Sequence, residues 1–130
     1  MAAYTSSSGG VAVTVTDGQT FNFAATLSGQ TTLTAGGYTD ANAAPGFGSE
    51  YLVGTTGAYV MCSTSQNCND AQGNTVPPQG SFSLMVSDPG TSQTAGGGTL
   101  WPTPQGSLDV TMPAQVGGAE SGTVMIAVTL

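Results

Sequence analysis

The sequence predicts an all-β chain: a single antiparallel β-sandwich, immunoglobulin-like or jelly-roll-like, of about seven strands with long Gly-rich loops. Three observations predict it. In five segments apolar residues alternate with Thr, Ser, Asn or Asp at a period of two, the pattern of a half-buried strand. Outside residues 58–72, the longest run without Gly or Pro is the ten residues from Gln19 to Ser28, shorter than an average helix. Polar stretches rich in Gly, Pro, Asn and Gln separate the apolar segments, and the chain carries 20 Gly and 7 Pro.

In chain order, residues 1–10 (MAAYTSSSGG) read as a flexible arm that ends in a linker-like SSSGG. They lack the positive and apolar regions of a signal peptide, so either none is encoded or it has been removed. Residues 11–130 form the single sandwich domain, long enough to bury roughly two thirds of the unfolded surface.

The first strand places Val11, Val13 and Val15 on one face, and the second places Phe21, Phe23, Ala25 and Leu27 on one face. Opposed residues in an antiparallel pair share a face, so turn length is testable. A two-residue Asp17-Gly18 turn puts valines and phenylalanines on opposite faces. A three-residue loop, Asp17-Gly18-Gln19, pairs Val15 with Phe21, Val13 with Phe23 and Val11 with Ala25, and all six then share one face. The same reasoning at Ser28-Gly29-Gln30 pairs Ala25 with Leu33 and Phe23 with Ala35. Assignment of the first two strands to different sheets is the alternative, and it too keeps odd-numbered residues inside.

Residues 31–35 and a stretch within 51–61 are weaker strand candidates. Clearer ones follow at Phe82/Leu84/Val86, Leu108/Val110/Met112 and Val124/Ile126/Val128/Leu130. Residues 36–48, 63–80, 88–98 and 113–122 read as loops.

Charge removes whole classes of function. Lys, Arg and His are absent, leaving Asp17, Asp40, Glu50, Asp70, Asp88, Asp109 and Glu120 and a net charge of −7. No side-chain salt bridge can form. Nucleic-acid binding relies on cations that neutralise phosphates, so nucleic acid is not expected as a partner. A basic patch for anionic lipid is equally absent, and no apolar run approaches the roughly 20 residues of a membrane span. Without His, Lys or Arg there is no Ser-His-Asp triad, Cys-His pair or cationic clamp. A glycosidase-type carboxylate pair remains, but the acids are dispersed singly and several sit at turns. No catalytic residue is assigned, and the chain is not expected to be an enzyme.

Cys62 and Cys68 enclose five polar residues and are expected to form a disulfide in an oxidising compartment. Zinc would need further Cys or His ligands that the chain does not have. Calcium is the one conceivable cofactor, from the cluster at residues 67–74, which lacks the spacing of a calcium loop. No metal site is assigned.

Aromatic residues on loops can anchor a protein interface. Trp101, between Gly96-Gly97-Gly98 and Pro102-Thr103-Pro104, reads either as a plug at one end of the sandwich or as an exposed anchor. Tyr4 on the arm suits an intersubunit contact, and so do Tyr38 and Phe47 beside a Gly/Ala-rich loop.

The C-terminal stretch MPAQVGGAESGTVMIAVTL, residues 112–130, resembles the ending of bacterial pilin-like and spore-coat-U-like immunoglobulin-type surface domains, where a Pro-Ala-Gly turn leads into a final Thr/Val strand. The resemblance implies a sandwich that ends in an apolar strand. A pilin would further imply donor-strand assembly, for which Val11, Val13 and Val15 offer the one suitable N-terminal strand. The expected assembly interface therefore comprises Tyr4, Val11, Val13, Val15, Tyr38, Phe47 and Trp101. The expected partners are copies of the chain or a major coat or filament protein, at a virion surface or outside a cell. The expected function is a structural subunit, most concretely a capsid decoration protein. The alternatives are a filament or pilus subunit and a calcium-dependent glycan-binding module. With no salt bridge to break, the chain is expected to tolerate acid.

Overall fold

A computed structural model describes residues 1–5, 10–44, 47–53, 56–62 and 69–130. It is nearly all β: eleven strands and one short 3-10 turn, Asp40–Asn42, with no α-helix among the described residues. Two antiparallel sheets pack as a sandwich. The larger contains β1 (Ala2–Thr5), β2 (Val11–Thr16), β3 (Phe21–Leu27), β5 (Gly48–Val53), β6 (Thr56–Cys62), β8 (Gln93–Ala95) and β9 (Gly98–Trp101), in the order β6-β5-β3-β2-β1-β9-β8. The smaller contains β4 (Gly36–Thr39), β7 (Ser81–Asp88), β10 (Gln105–Pro113) and β11 (Thr123–Thr129), in the order β11-β10-β7-β4.

The five alternating segments are the strands β2, β3, β7, β10 and β11, and the apolar residue of each pair faces inward. Leu27, Leu84 and Leu108 are completely buried, and the inward residues of both sheets form one apolar cluster. Phe82 on β7 joins the layers edge-on: its ring centroid lies 5.0 Å from Phe23 on β3 and 5.3 Å from Phe47, the arrangement favoured by aromatic quadrupoles.

The register of β2 and β3 differs from expectation by two residues. They share a sheet, but Val15 pairs with Phe23, Val13 with Ala25 and Val11 with Leu27. A shift of two preserves the face, so the valines and phenylalanines remain inside together. The longer loop is built on Asp17, whose carboxylate accepts the backbone N–H groups of Gln19, Thr20 and Phe21 and the Thr20 hydroxyl. A three-residue loop leaves no room for that nest of donors.

Residues 31–35 do not form a strand. Leu33 is nevertheless buried, and the free side of β3 is taken by β5, with Phe23 opposite Ser49, and by a bridge from Leu27 to Ala43. The stretch within 51–61 is two strands, the pair β5 and β6. Residues 36–48 and 88–98, expected as loops, contain, respectively, β4 and β8 with the start of its hairpin partner β9. These strands are three or four residues long, too short to show a periodicity of their own, and exist because a neighbour supplies the ladder.

The largest departure is at the N-terminus. The segment expected as an arm holds β1, which pairs with β2 on one side and β9 on the other. Ala3 and Thr5 point inward and are buried. Residues 6–9 lie outside the described residues. Gly98 is required on β9, because a Cβ there would overlap the carbonyl oxygen of Thr5. At the opposite corner, bridges Cys62–Gln79 and Tyr59–Ala114 tie β6 to the smaller sheet's connections. Gly80 enables this with φ +80°, and its Cβ would meet the Thr111 oxygen at 2.5 Å.

Candidate functional site

Two sheets leave four edges, and three are blunted. β8 has three residues and β4 has four, opening on Gly36-Gly37. The outer side of β6 is occupied by its bridges to Gln79 and Ala114. The fourth edge is β11, with the sequence TVMIAVT, and no described residue pairs with its outer side.

β11 is regular as well as long. Its pairing with β10 runs without a shift from Ser107 opposite Thr129 to Pro113 opposite Thr123. It carries no charge, no Pro and no Gly. Backbone hydrogen bonds just beyond its ends, Ala114 N–H to Gly122 O and Leu130 N–H to Gly106 O, both 2.9 Å, fix the parity. In an antiparallel ladder the direction of the N–H and C=O groups alternates. Even-numbered residues therefore bond to β10, while Thr123, Met125, Ala127 and Thr129 direct their N–H and C=O groups to the open edge.

The side chains follow the same alternation. Val124, Ile126 and Val128 face inward yet remain only half-buried, because among the described residues no further strand flanks them. On the outer face Met125 is 80% exposed, and Met85 on β7 is 51% exposed. The surrounding residues are small: Ala127, Ser83, Ser81 and Gly37, with Asp109 the one acid of the β7 and β10 faces beside them.

Five of the seven acids are engaged elsewhere, mostly as loop ties. Donation by the Thr20 hydroxyl, and then by three backbone amides, holds the Asp17 carboxyl well below the usual carboxylate range. Asp70 is lowered chiefly by the Asn74 N–H at 2.8 Å, with Gln72 N–H at 2.9 Å also donating. Asp88 accepts the Gly90 N–H, Asp40 accepts the Phe82 N–H, and Glu50 accepts from the Asn22 amide. Among the described residues no three of His, Cys, Asp and Glu come together to hold a metal ion.

No family model matches this chain, and no curated protein or solved structure matches it. The β11 edge must therefore be read from its own geometry.

The residues expected at the interface are placed elsewhere. Val11, Val13 and Val15 are buried in the core of the chain itself, as are Tyr38, Phe47 and Trp101. Trp101 occupies β9 opposite Ala3 and is 4% exposed, so it plugs the core and is not an exposed anchor. Tyr38 turns inward and its hydroxyl donates to the Thr34 carbonyl at 2.7 Å. Tyr4 is half-buried, opposite Leu100, and its hydroxyl donates to the Gly96 carbonyl at 3.1 Å. Of the seven residues, Tyr4 alone retains much exposed surface. Cys62 is buried at the end of β6 and is disulfide-bonded; Cys68 lies outside the described residues. So does Asn67 of the calcium candidate; of its described residues 69–74, Asp70 has its carboxylate engaged by its own loop.

The β11 edge was not among the expected contacts. Its sequence signal is the uncharged, Pro-free run at residues 123–130, which is as typical of a central strand as of an edge.

Proposed function

We propose that this chain is a non-enzymatic structural subunit on the surface of a larger assembly, most concretely a virus capsid decoration protein, and that β11 is the edge through which it joins a neighbouring subunit there. The observation that carries the reading is that edge: seven regular, uncharged residues with free backbone groups and half-covered apolar side chains. Folded proteins protect such strands with charge, Pro, bulges or short length, since an open one pairs with whatever strand it meets. Here the other three edges are protected, and among the described residues nothing pairs with the outer side of β11. The net charge of −7 keeps the rest of the surface soluble and confines attraction to the neutral strand.

A pilus-type subunit is the second reading, favoured by the resemblance of residues 112–130. Donor-strand exchange by β2 is disfavoured, because β2 lies between β1 and β3 and its removal would break two ladders.

The test is density-gradient sedimentation of native material from the producing cells or their medium, with the chain detected by antibody. It is expected to travel with particles far heavier than 12.8 kDa. An Ala127→Pro chain expressed in the same host is expected to stay at the top. Wild-type chain found only at the top of the gradient would refute the reading.

A further inference from the structure

We propose that β11 pairs antiparallel with β11 of a second copy, across a two-fold axis at Ile126, joining two four-stranded sheets into one of eight strands. The proposal rests on reading β11 as the contact edge, and adds the partner and the register.

The strand is nearly palindromic: Thr-Val-Met-Ile-Ala-Val-Thr reads almost the same in both directions. Antiparallel pairing about Ile126 sets Thr123 opposite Thr129, Val124 opposite Val128 and Ile126 opposite itself. Met125 falls opposite Ala127, so the large side chain lies over a small one. Every inward position then meets a β-branched residue, the favoured cross-strand combination. A two-fold interface requires this self-complementarity, because the same patch must serve both copies. A foreign strand would not require it.

Backbone parity agrees. The open groups belong to Thr123, Met125, Ala127 and Thr129, so the axis at Ile126 falls on a non-hydrogen-bonded pair flanked by hydrogen-bonded pairs on each side. The half-buried Val124, Ile126 and Val128 gain the cover that the chain alone does not supply.

Two chains of charge −7 repel, yet not at this seam. The nearest acid on the ladder is Asp109, on β10 opposite Ala127. Its counterpart in the second copy is three strand spacings away, about 14 Å or more. That exceeds the roughly 8 Å Debye length at physiological salt.

The test is sedimentation equilibrium of the purified chain over a wide concentration range, combined with two single-cysteine variants. The wild-type chain is expected to reach twice its 12.8 kDa mass. Ala127→Pro removes a donor from the open edge and none from the β10 ladder, and is expected to weaken the dimer roughly thirtyfold or more. Ile126→Cys is expected to form an intermolecular disulfide on mild oxidation, since the Cα atoms of a non-hydrogen-bonded pair lie about 4.5 Å apart. Val124→Cys is expected not to, because its copies are offset by four residues, about 13 Å. Cys62 is already disulfide-bonded and does not compete. A chain monomeric at every concentration, or Val124→Cys crosslinking as readily as Ile126→Cys, would overturn the proposal. If Ala127→Pro fails to fold, the cysteine pair still decides. A monomeric wild-type chain that nevertheless travels with particles overturns self-pairing and leaves β11 as the contact edge.

Discussion

Replacing Trp101 by Ala separates a core plug from an interface anchor. Trp101 is 4% exposed, and on β9 it lies opposite Ala3, a residue too small to fill the space left by the indole. A buried aromatic of this size removes about 200 Å² from water, worth roughly 5 kcal/mol at 25 cal/mol per Å² as an upper figure. Measured Trp and Phe to Ala substitutions in cores cost about 3–5 kcal/mol. A total stability of about 5–15 kcal/mol would thus lose about a fifth or more. At about 3–5 °C per kcal/mol for a chain of this length, Tm is expected to fall by about 10–20 °C. The assay is thermal unfolding followed by far-UV circular dichroism, because the variant lacks the chain's one Trp. In the wild-type protein that Trp gives a second readout, a short-wavelength emission maximum that moves to longer wavelength on unfolding. A Tm within about 2 °C of wild type, with loss of particle association, would refute core placement and restore Trp101 as an anchor.

Other outcomes follow from the same structure. Gly98→Ala is expected to cost about 3 kcal/mol or more by driving β9 from β1, while Gly37→Ala, which meets only Met85 Cε at 3.5 Å, should stay within about 0.5 kcal/mol; paired chemical denaturation curves check both. Asp40→Ala leaves the part-buried Phe82 N–H without its acceptor and is expected to cost about 1–2 kcal/mol in the same experiment. The carboxyls of Asp17 and Asp70 are lowered in the folded state, so their contribution is complete above the ordinary carboxylate value and is lost as pH falls through the folded values. Tm should therefore hold or rise from pH 7 to about 4 as repulsion is relieved, then drop at lower pH, with a smaller drop in Asp17→Asn; a monotonic loss from pH 7 to 4 would contradict this.

The expected acid response is narrower than the sequence alone suggests. Absence of salt bridges argues for tolerance, but Asp17 and Asp70 make strong backbone contacts that composition does not reveal. The strands β2, β3, β7, β10 and β11 were legible because each alternates over enough residues to declare its face. The face survived an error in register, since Asp17 lengthened the loop by an even number of residues. β1, β4, β8 and β9 were not legible, because three or four residues rich in Ala, Gly and Thr carry no period and depend on distant partners. The same blindness shaped the expected interface. Val11, Val13, Val15, Tyr38, Phe47 and Trp101 read as contacts because sequence shows that a residue is apolar or aromatic, not which part of the chain covers it. In the folded chain the two sheets cover those residues, and they are inside. The exposed edge is instead a strand whose alternation had already assigned it to the core, and only the strand order shows it to be last.

Residue-resolved amide exchange of the assembled material against the dilute monomer tests the role of β11 most directly. The N–H groups of Val124, Ile126 and Val128 are bonded to β10 and should be protected in both states. Those of Met125 and Ala127 face the open edge, and should exchange freely in the monomer and become protected on assembly. Equal exchange of Met125 and Ala127 in both states would contradict assembly through this strand.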